Sequence, residues 1–289
     1  MTAATISAPP AYSARLPITR APLWRLLRSE VGWVFRRPRT WISLILLAAV
    51  PIVMAIGVLV TNGPRDGRGG SLYADLAGNG LELPVIALVI TLALLLPLVG
   101  AMWAADALAG EASHGTLRGL LIAPVSRVRL LGVKAFGVGT AILAASALIA
   151  VVGMITGIVV VGSNGMVTLS GTTLSTWDAI GRVLLAVGWV TFQVWAVAAV
   201  ALAISACTEH PVIVMGATLA GAIVMGVLSA IPTLTWLQPY LLINSWGGLT
   251  DVLRDPMPTA GLIHGMAEAG CYLVIGLSLA LARTVTKDG

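Results

Sequence analysis

The sequence predicts an all-α integral membrane protein, built as an N-terminal interfacial helix followed by six transmembrane helices. Three observations carry this. Charged residues are only 10% of the 289 and apolar ones 58%, with a mean hydropathy of +0.96. An average soluble domain is about 25% charged, and a chain this apolar cannot cover its surface with polar groups in water, whereas a bilayer removes that need. The apolar residues gather in six runs at about 41–61, 83–105, 133–162, 179–206, 211–231 and 262–282, each long enough for a bilayer core that takes roughly 20 helical residues. Finally, the basic residues cluster beside these runs, as membrane orientation requires. The formal net charge of +5 is accounted for in this way, so nucleic acid is not an expected partner.

In chain order, residues 1–21 are rich in Ala, Pro, Ser and Thr and are expected to be a disordered tail. Residues 22–38 read as an interfacial amphipathic helix. Pro22 suits a helix start. Leu23, Leu27, Val31 and Val34 recur at helical spacing, while Arg25, Arg28, Ser29, Glu30 and Arg36 lie on or near the other side. The first apolar run begins only at Trp41, after an Arg-rich lead. Arg36-Arg37 resembles a twin-arginine signal, but the run beyond is span-length without a small-residue cleavage site, so an uncleaved first helix is expected.

Residues 39–289 form the six-span domain. The third and fourth runs exceed a bilayer core and are expected to tilt or to extend beyond it. The runs lack polar-apolar alternation, so strands are excluded as spanning elements. With six spans, the N-terminal segment, the loop 106–134 and the C-terminus lie on one side. They hold 13 Lys and Arg residues against 4 on the other, Arg65, Arg68, Arg182 and Arg254. That bias puts both termini and the 106–134 loop in the cytoplasm, with the 207–210 turn.

Small residues predict close helix packing. Gly153 and Gly157 form one GxxxG and Gly261 and Gly265 another, while Gly216, Ala220, Gly221 and Gly226 line the fifth run. Packing within the chain is the first reading and dimerisation the second. The loop at 232–261 is too apolar for a plain solvated loop, yet prolines and glycines interrupt it. It reads as a re-entrant outer hairpin, with Trp236, Tyr240 and Trp246 at the interface, or as an amphipathic loop covering helix ends. Cys207 and Cys271 are expected as buried thiols at different depths, not as a disulfide.

No catalytic constellation emerges. Phosphate-loop, HExxH, CxxC and GxSxG patterns are absent, and the chain has only two lysines, Lys134 and Lys287. His114, His210 and His264 are far apart, so no metal site is expected. An enzymatic role, a cofactor held by this chain and a metal centre all lack support.

The most informative stretch is Asp106 to Lys134. After Glu111, Gly115-Thr116 leads into Leu117, Leu120 and Leu121 at helical spacing, with Arg118 between them. Pro124 stops that helix, and Ser126 is placed to cap the next, which runs through Arg127 and Lys134 into the third span. The residues by themselves allow two readings: a short lever helix lying along the membrane, or a charged turn that only sets topology.

The acidic residue, the Gly115-Thr116 pair, the leucine pair, Pro124-Val125-Ser126-Arg127 and Lys134 between spans two and three resemble the permease subunits of the ABC-2 family of ABC transporters. The resemblance implies a cytoplasmic coupling helix over 112–122 that docks into a nucleotide-binding subunit. Its coupling residues would be Glu111, Gly115, Thr116, Leu117, Arg118, Leu120, Leu121, Pro124 and Arg127. It also implies ATP and Mg on a separate ATPase chain, a second permease (identical or homologous) and export across a bacterial plasma membrane. The cargo would be a hydrophobic or amphipathic substrate such as a drug, an antibiotic or a lipid-like molecule.

Glu268 lies two turns into the last run with His264 one turn earlier. A carboxylate at that depth usually faces a cavity or a partner. Either the pair lines a substrate route, or Glu268 bonds to the outer loop, for instance to Arg254. Arg182, at the outer start of the fourth run, is expected to snorkel to headgroups. A secondary transporter or channel using Glu268 and His264 stays open as an alternative. A membrane-embedded enzyme would need more converging groups.

Overall fold

The computed structural model describes residues 22–61, 80–113, 126–160, 162 and 166–286. Helix α1, Leu23–Arg36, is amphipathic and lies against the first turns of the bundle. Arg37 then adopts an extended conformation, as the residue before a proline must, and Pro38 opens α2, Pro38–Thr61. The corner is held by side chains. Thr40 Oγ1 and Trp41 Nε1 donate to the carbonyls of Val34 and Phe35 in the last turn of α1, and the Arg37 N–H also donates to Val34.

The second run is two helices, α3 over Leu83–Ala93 and α4 over Leu95–Ser113, bent by 58° where a single span was expected. Pro97 explains the break. It has no N–H to give the Ala93 carbonyl and its ring crowds that oxygen; Leu94 leaves the helical region, with φ −150° and ψ −50°. Helices α5, Arg127–Val160, and α6, Thr176–Cys207, are the long ones. They are followed by α7, Pro211–Ser229, a string of short turns with α8 at Leu242–Ser245, and α9, Thr259–Thr286. Among the described residues, five helices are long and apolar enough to cross a membrane, or six if the bent α3–α4 pair is one broken span.

Helix α6 lies at the centre, packed against α4, α5 and above all α9. Its polar side chains tie it to neighbouring backbones. Trp189 Nε1 and Gln193 Nε2 donate to Leu262 and Gly265 of α9 at 3.0 and 2.8 Å, and Trp195 Nε1 donates to Ala135 of α5. Ser205 accepts from the Ala109 N–H and donates to Ala105, both on α4.

Glycines set the closest approaches. A Cβ on Gly157 would collide with the backbone of Gly80, and one on Gly153 would lie 2.8 Å from Pro84 Cα, so this GxxxG serves contact within the chain. Gly261 faces Asp251 and Gly265 faces Trp189 and Gln193. By contrast, Gly216, Gly221 and Gly226 of α7 meet nothing within 4 Å. Only 11% of the best apolar window of α7 is covered by the chain, against 56% for α6. Among the described residues, this fifth apolar helix is the least covered of the long helices, with Ile213, Ile223, Val224 and Val227 exposed.

The end opposite α1 carries a small cap that the sequence reading did not foresee. Strands β1, Met166–Val167, and β2, Thr173–Leu174, pair antiparallel and lie on the 232–258 loop, where Leu169 N–H donates to Leu253 and Asp255 N–H to Ser170 Oγ. That loop buries Leu241, Leu242, Trp246, Leu249, Val252 and Leu253, while Trp236 and Tyr240 are exposed. Trp246 thus packs inward, contrary to the expected interfacial place. The cysteines also depart from expectation: Cys207 and Cys271 are free thiols on the outside of the chain, because each falls on a helix side that no neighbouring helix covers.

Candidate functional site

Three segments distant in sequence bring their charges together where α1 meets the bundle. Lys134, near the start of α5, donates to both oxygens of Glu30 at 3.0 Å and also to Glu111 Oε1. The three side chains are 4, 11 and 6% exposed, respectively. Removing a cation and two carboxylates from water is expensive, and only good geometry with further hydrogen bonds offsets it. Trp33 completes the wall: its ring lies 4.5 Å from Lys134 Nζ and 3.3 Å from the Arg37 guanidinium. Arg37 and Arg39 reach Asp106 at 3.4 and 3.6 Å. The network therefore runs from α1 through the α1–α2 corner to α4 and α5.

Local sequence explains the meeting. On α1, Glu30 and Val34 are four residues apart, share one face and are both buried. The facing position on α5 is Gly137, where a Cβ would sit 2.7 Å from Glu30 Cγ. Only a glycine lets α1 approach closely enough for Glu30 to reach Lys134. Glu30 is accordingly not on the polar, headgroup-facing side assigned to it from periodicity. Its pKa is raised above the ordinary 4.5, mainly by burial, with Lys134 pulling the other way.

The segment 114–125 lies outside the described residues, and with it Gly115, Thr116, Leu117, Arg118, Leu120, Leu121 and Pro124. Its two flanks are described. Before it, Glu111 is held by Lys134. After it, Ser126 Oγ accepts from the Arg129 N–H at 3.4 Å, so α5 starts at the expected cap. Arg127 Nη1 donates to the carbonyls of Thr284 and Val285, at 2.6 and 2.9 Å. Those carbonyls belong to the last turn of α9, whose negative dipole end favours a cation.

At the other end, Arg182 does not reach outward to headgroups. It pairs with Asp255 at 3.0 Å and donates to the Val252 and Arg254 carbonyls. Its position on α6 beneath the loop brings those carbonyls and Asp255 within its reach. Arg254 pairs with Asp251 at 3.5 Å, not with Glu268. Glu268 lies 3.9 Å from His264 Nδ1 and is 11% exposed, while His264 is 60% exposed. Among the described residues, neither Glu268 oxygen has a hydrogen-bond donor within normal geometry; the neighbouring Ser245 hydroxyl directs its proton to the Leu242 carbonyl. Both residues border a recess of about 290 Å³ that Gln238, Asn244 and Asp251 also line.

The sequence reading had singled out Asp106, Glu111, Arg127 and Lys134 in one charged stretch, but gave no part in this cluster to Glu30, Trp33 or Arg37. Two signals were available. Glu30 is the only acidic residue in 22–37, and Lys134 the only lysine before Lys287. Among the described residues no group of three His, Cys, Asp or Glu side chains is placed to hold a metal ion.

The pattern that defines the ABC-2 family transporter proteins matches residues 26–225, from within α1 to the end of the fifth span. That is well over half of the chain, and the protein belongs to this family. No curated protein matches it.

Proposed function

We propose that this ABC-2 family chain is the transmembrane permease subunit of an ATP-binding cassette exporter. A separate nucleotide-binding subunit, carrying ATP and Mg, docks on the coupling helix at 112–122, which overlaps segment 114–125. ATP-driven closure of two such subunits pushes on that segment, and the spans of two permease chains rearrange. A hydrophobic or amphipathic substrate then moves outward. The α1 end faces the cytoplasm, as the 13-to-4 distribution of Lys and Arg requires, with the chain in a bacterial plasma membrane.

One observation carries the reading. Both flanks of the docking segment are anchored to other parts of the bundle, Glu111 through Lys134 and Arg127 on the end of α9. A push on a segment anchored in this way is passed to the helices, whereas a loose loop would absorb it. The uncovered side of α7, with its small residues, supports a second permease and a route between the two chains. The recess beside Glu268 and His264 supports an outer section of that route.

Co-purification with the ATPase encoded beside this chain, followed by ATP hydrolysis in lipid nanodiscs, tests the proposal. Hydrolysis that rises when the permease is present, and loses that rise on Glu111→Lys, is the expected result. Transport by the purified chain alone in liposomes, without any ATPase, would sink it. That outcome would favour the alternative, a secondary transporter or channel working through the unbonded carboxylate of Glu268, and Glu268→Gln would then abolish transport.

A further inference from the structure

Lys134 already has a carboxylate partner in Glu111, from the helix that packs beside it. A second buried carboxylate from α1 adds a further charge in a place where burying charge is expensive, with Arg37, on the Trp33 ring, as the other nearby cation. Stability alone would favour a neutral residue at position 30. The fold nevertheless admits Glu30, and keeps position 137 as a glycine so that it fits. The contact ties α1 to α5 on one side of the docking segment, while Glu111 ties the end of α4 to the same ammonium on the other.

We propose that Glu30 and Lys134 are positioning residues for energy coupling: they lock α1, α4 and α5 into one body at the root of segment 114–125, so that the ATPase moves these helices together. The inference rests on the ATP-driven reading above. Without the lock, the force on 114–125 is absorbed where the chain leaves α4, near Gly110 and Ser113, and α1 stays behind. Neither residue touches substrate or nucleotide; each acts through where it holds a helix. The same logic gives Trp33 and the Arg37–Asp106 pair a supporting part, since they pack the α1–α2 corner onto the same site.

The test uses the complete permease–ATPase complex in nanodiscs of mixed zwitterionic and anionic phospholipid. Three quantities are read for each variant: the amount of ATPase that co-purifies, the permease-dependent increase in ATP hydrolysis, and the apparent unfolding midpoint. Glu30→Met is expected to keep the first and to leave the midpoint at or above the parent's. The increase in hydrolysis should fall by at least about fivefold, the lower end of ordinary coupling between sites. Glu30→Gln, whose amide oxygen can still accept from Lys134, should recover most of it. Gly137→Ala, which displaces Glu30 without changing any charge, should resemble Glu30→Met.

The proposal is overturned if Glu30→Met stays within twofold of the parent in hydrolysis. It is also overturned if the loss comes only with a lower midpoint or a lost ATPase, because either marks a plain structural role. If the parent permease itself fails to raise hydrolysis, the ATP-driven reading is what has failed, and this inference falls with it.

Discussion

The two ends of the bundle handle their charges in opposite ways. Where α1 meets α4 and α5, Lys134, Glu30 and Glu111 are between 4 and 11% exposed and come from three separate segments. At the cap, the pairs are Arg182 with Asp255, at 14 and 36%, and Arg254 with Asp251, at 55 and 18%. The Lys134 triad at the first end is enclosed and mutually dependent, with only the outlying Arg39 reaching solvent; each cap pair has one well-exposed partner, and Arg182 also leans on backbone carbonyls. A buried network has few alternative arrangements, whereas a solvated pair can exchange partners for water at little cost. The lesson is mechanical. The end proposed to receive force is built as one unit, and the end proposed to release substrate is built from separable contacts.

The contrast can be broken most severely at Lys134. Lys134→Met leaves two carboxylates facing each other without their cation, and removing one partner of a buried pair costs about 3–5 kcal/mol. The variant should show a large drop in the apparent unfolding midpoint, followed by tryptophan fluorescence in detergent. At the cap, Arg182→Gln loses the bond to a half-exposed Asp255 and weakens those to two carbonyls. The expected loss is about 1–2 kcal/mol, toward the low end because solvent replaces part of it. If Arg182→Gln proves as damaging as Lys134→Met, the two ends do not differ in the way described.

The smallest effect is the most diagnostic. Burial raises the pKa of Glu30 in the folded protein. Such a group contributes its stability below its ordinary pKa and loses it as pH rises through the folded value. Relative to the parent, Glu30→Gln should therefore gain stability as pH increases upward from the ordinary 4.5, and the gap should close in acid. Unfolding midpoints of the two proteins across that range measure it. If Glu30→Gln instead loses stability relative to the parent as pH rises, the ion pair with Lys134 outweighs burial, and Glu30 is a stabilising residue.

Much of the fold was legible because apolar run length maps directly onto membrane span length. The helices at Thr176–Cys207 and Pro211–Ser229 start and stop within three residues of the runs read at about 179–206 and 211–231. Ser126 and Pro211 mark helix starts through local chemistry, which a sequence displays openly. The 58° break in the second run was less visible, although Pro97 announces it, since a proline in a lipid-bound helix is often absorbed without a break. The site was legible only in part. Glu111 and Arg127 stood out by their place beside a family pattern, but their partners did not. Glu30 is 104 residues from Lys134, and Arg127 is 157 residues from Thr284. No periodicity extends over such a separation.

By itself, then, the sequence determined that the chain is a helical membrane protein with several apolar spans, which loop is charged, and which family the chain resembles. These properties are local: they follow from hydropathy, caps and spacing within one segment. Only the tertiary structure decided that Glu30 turns inward, that Arg127 closes the end of α9, and that Arg182 belongs to the cap instead of the headgroups. Each of these depends on which helix happens to lie alongside. A charged side chain near a bilayer takes the nearest polar partner on offer, and that partner is set by packing, through positions such as Gly137 and Gly157 whose missing side chains let two backbones meet.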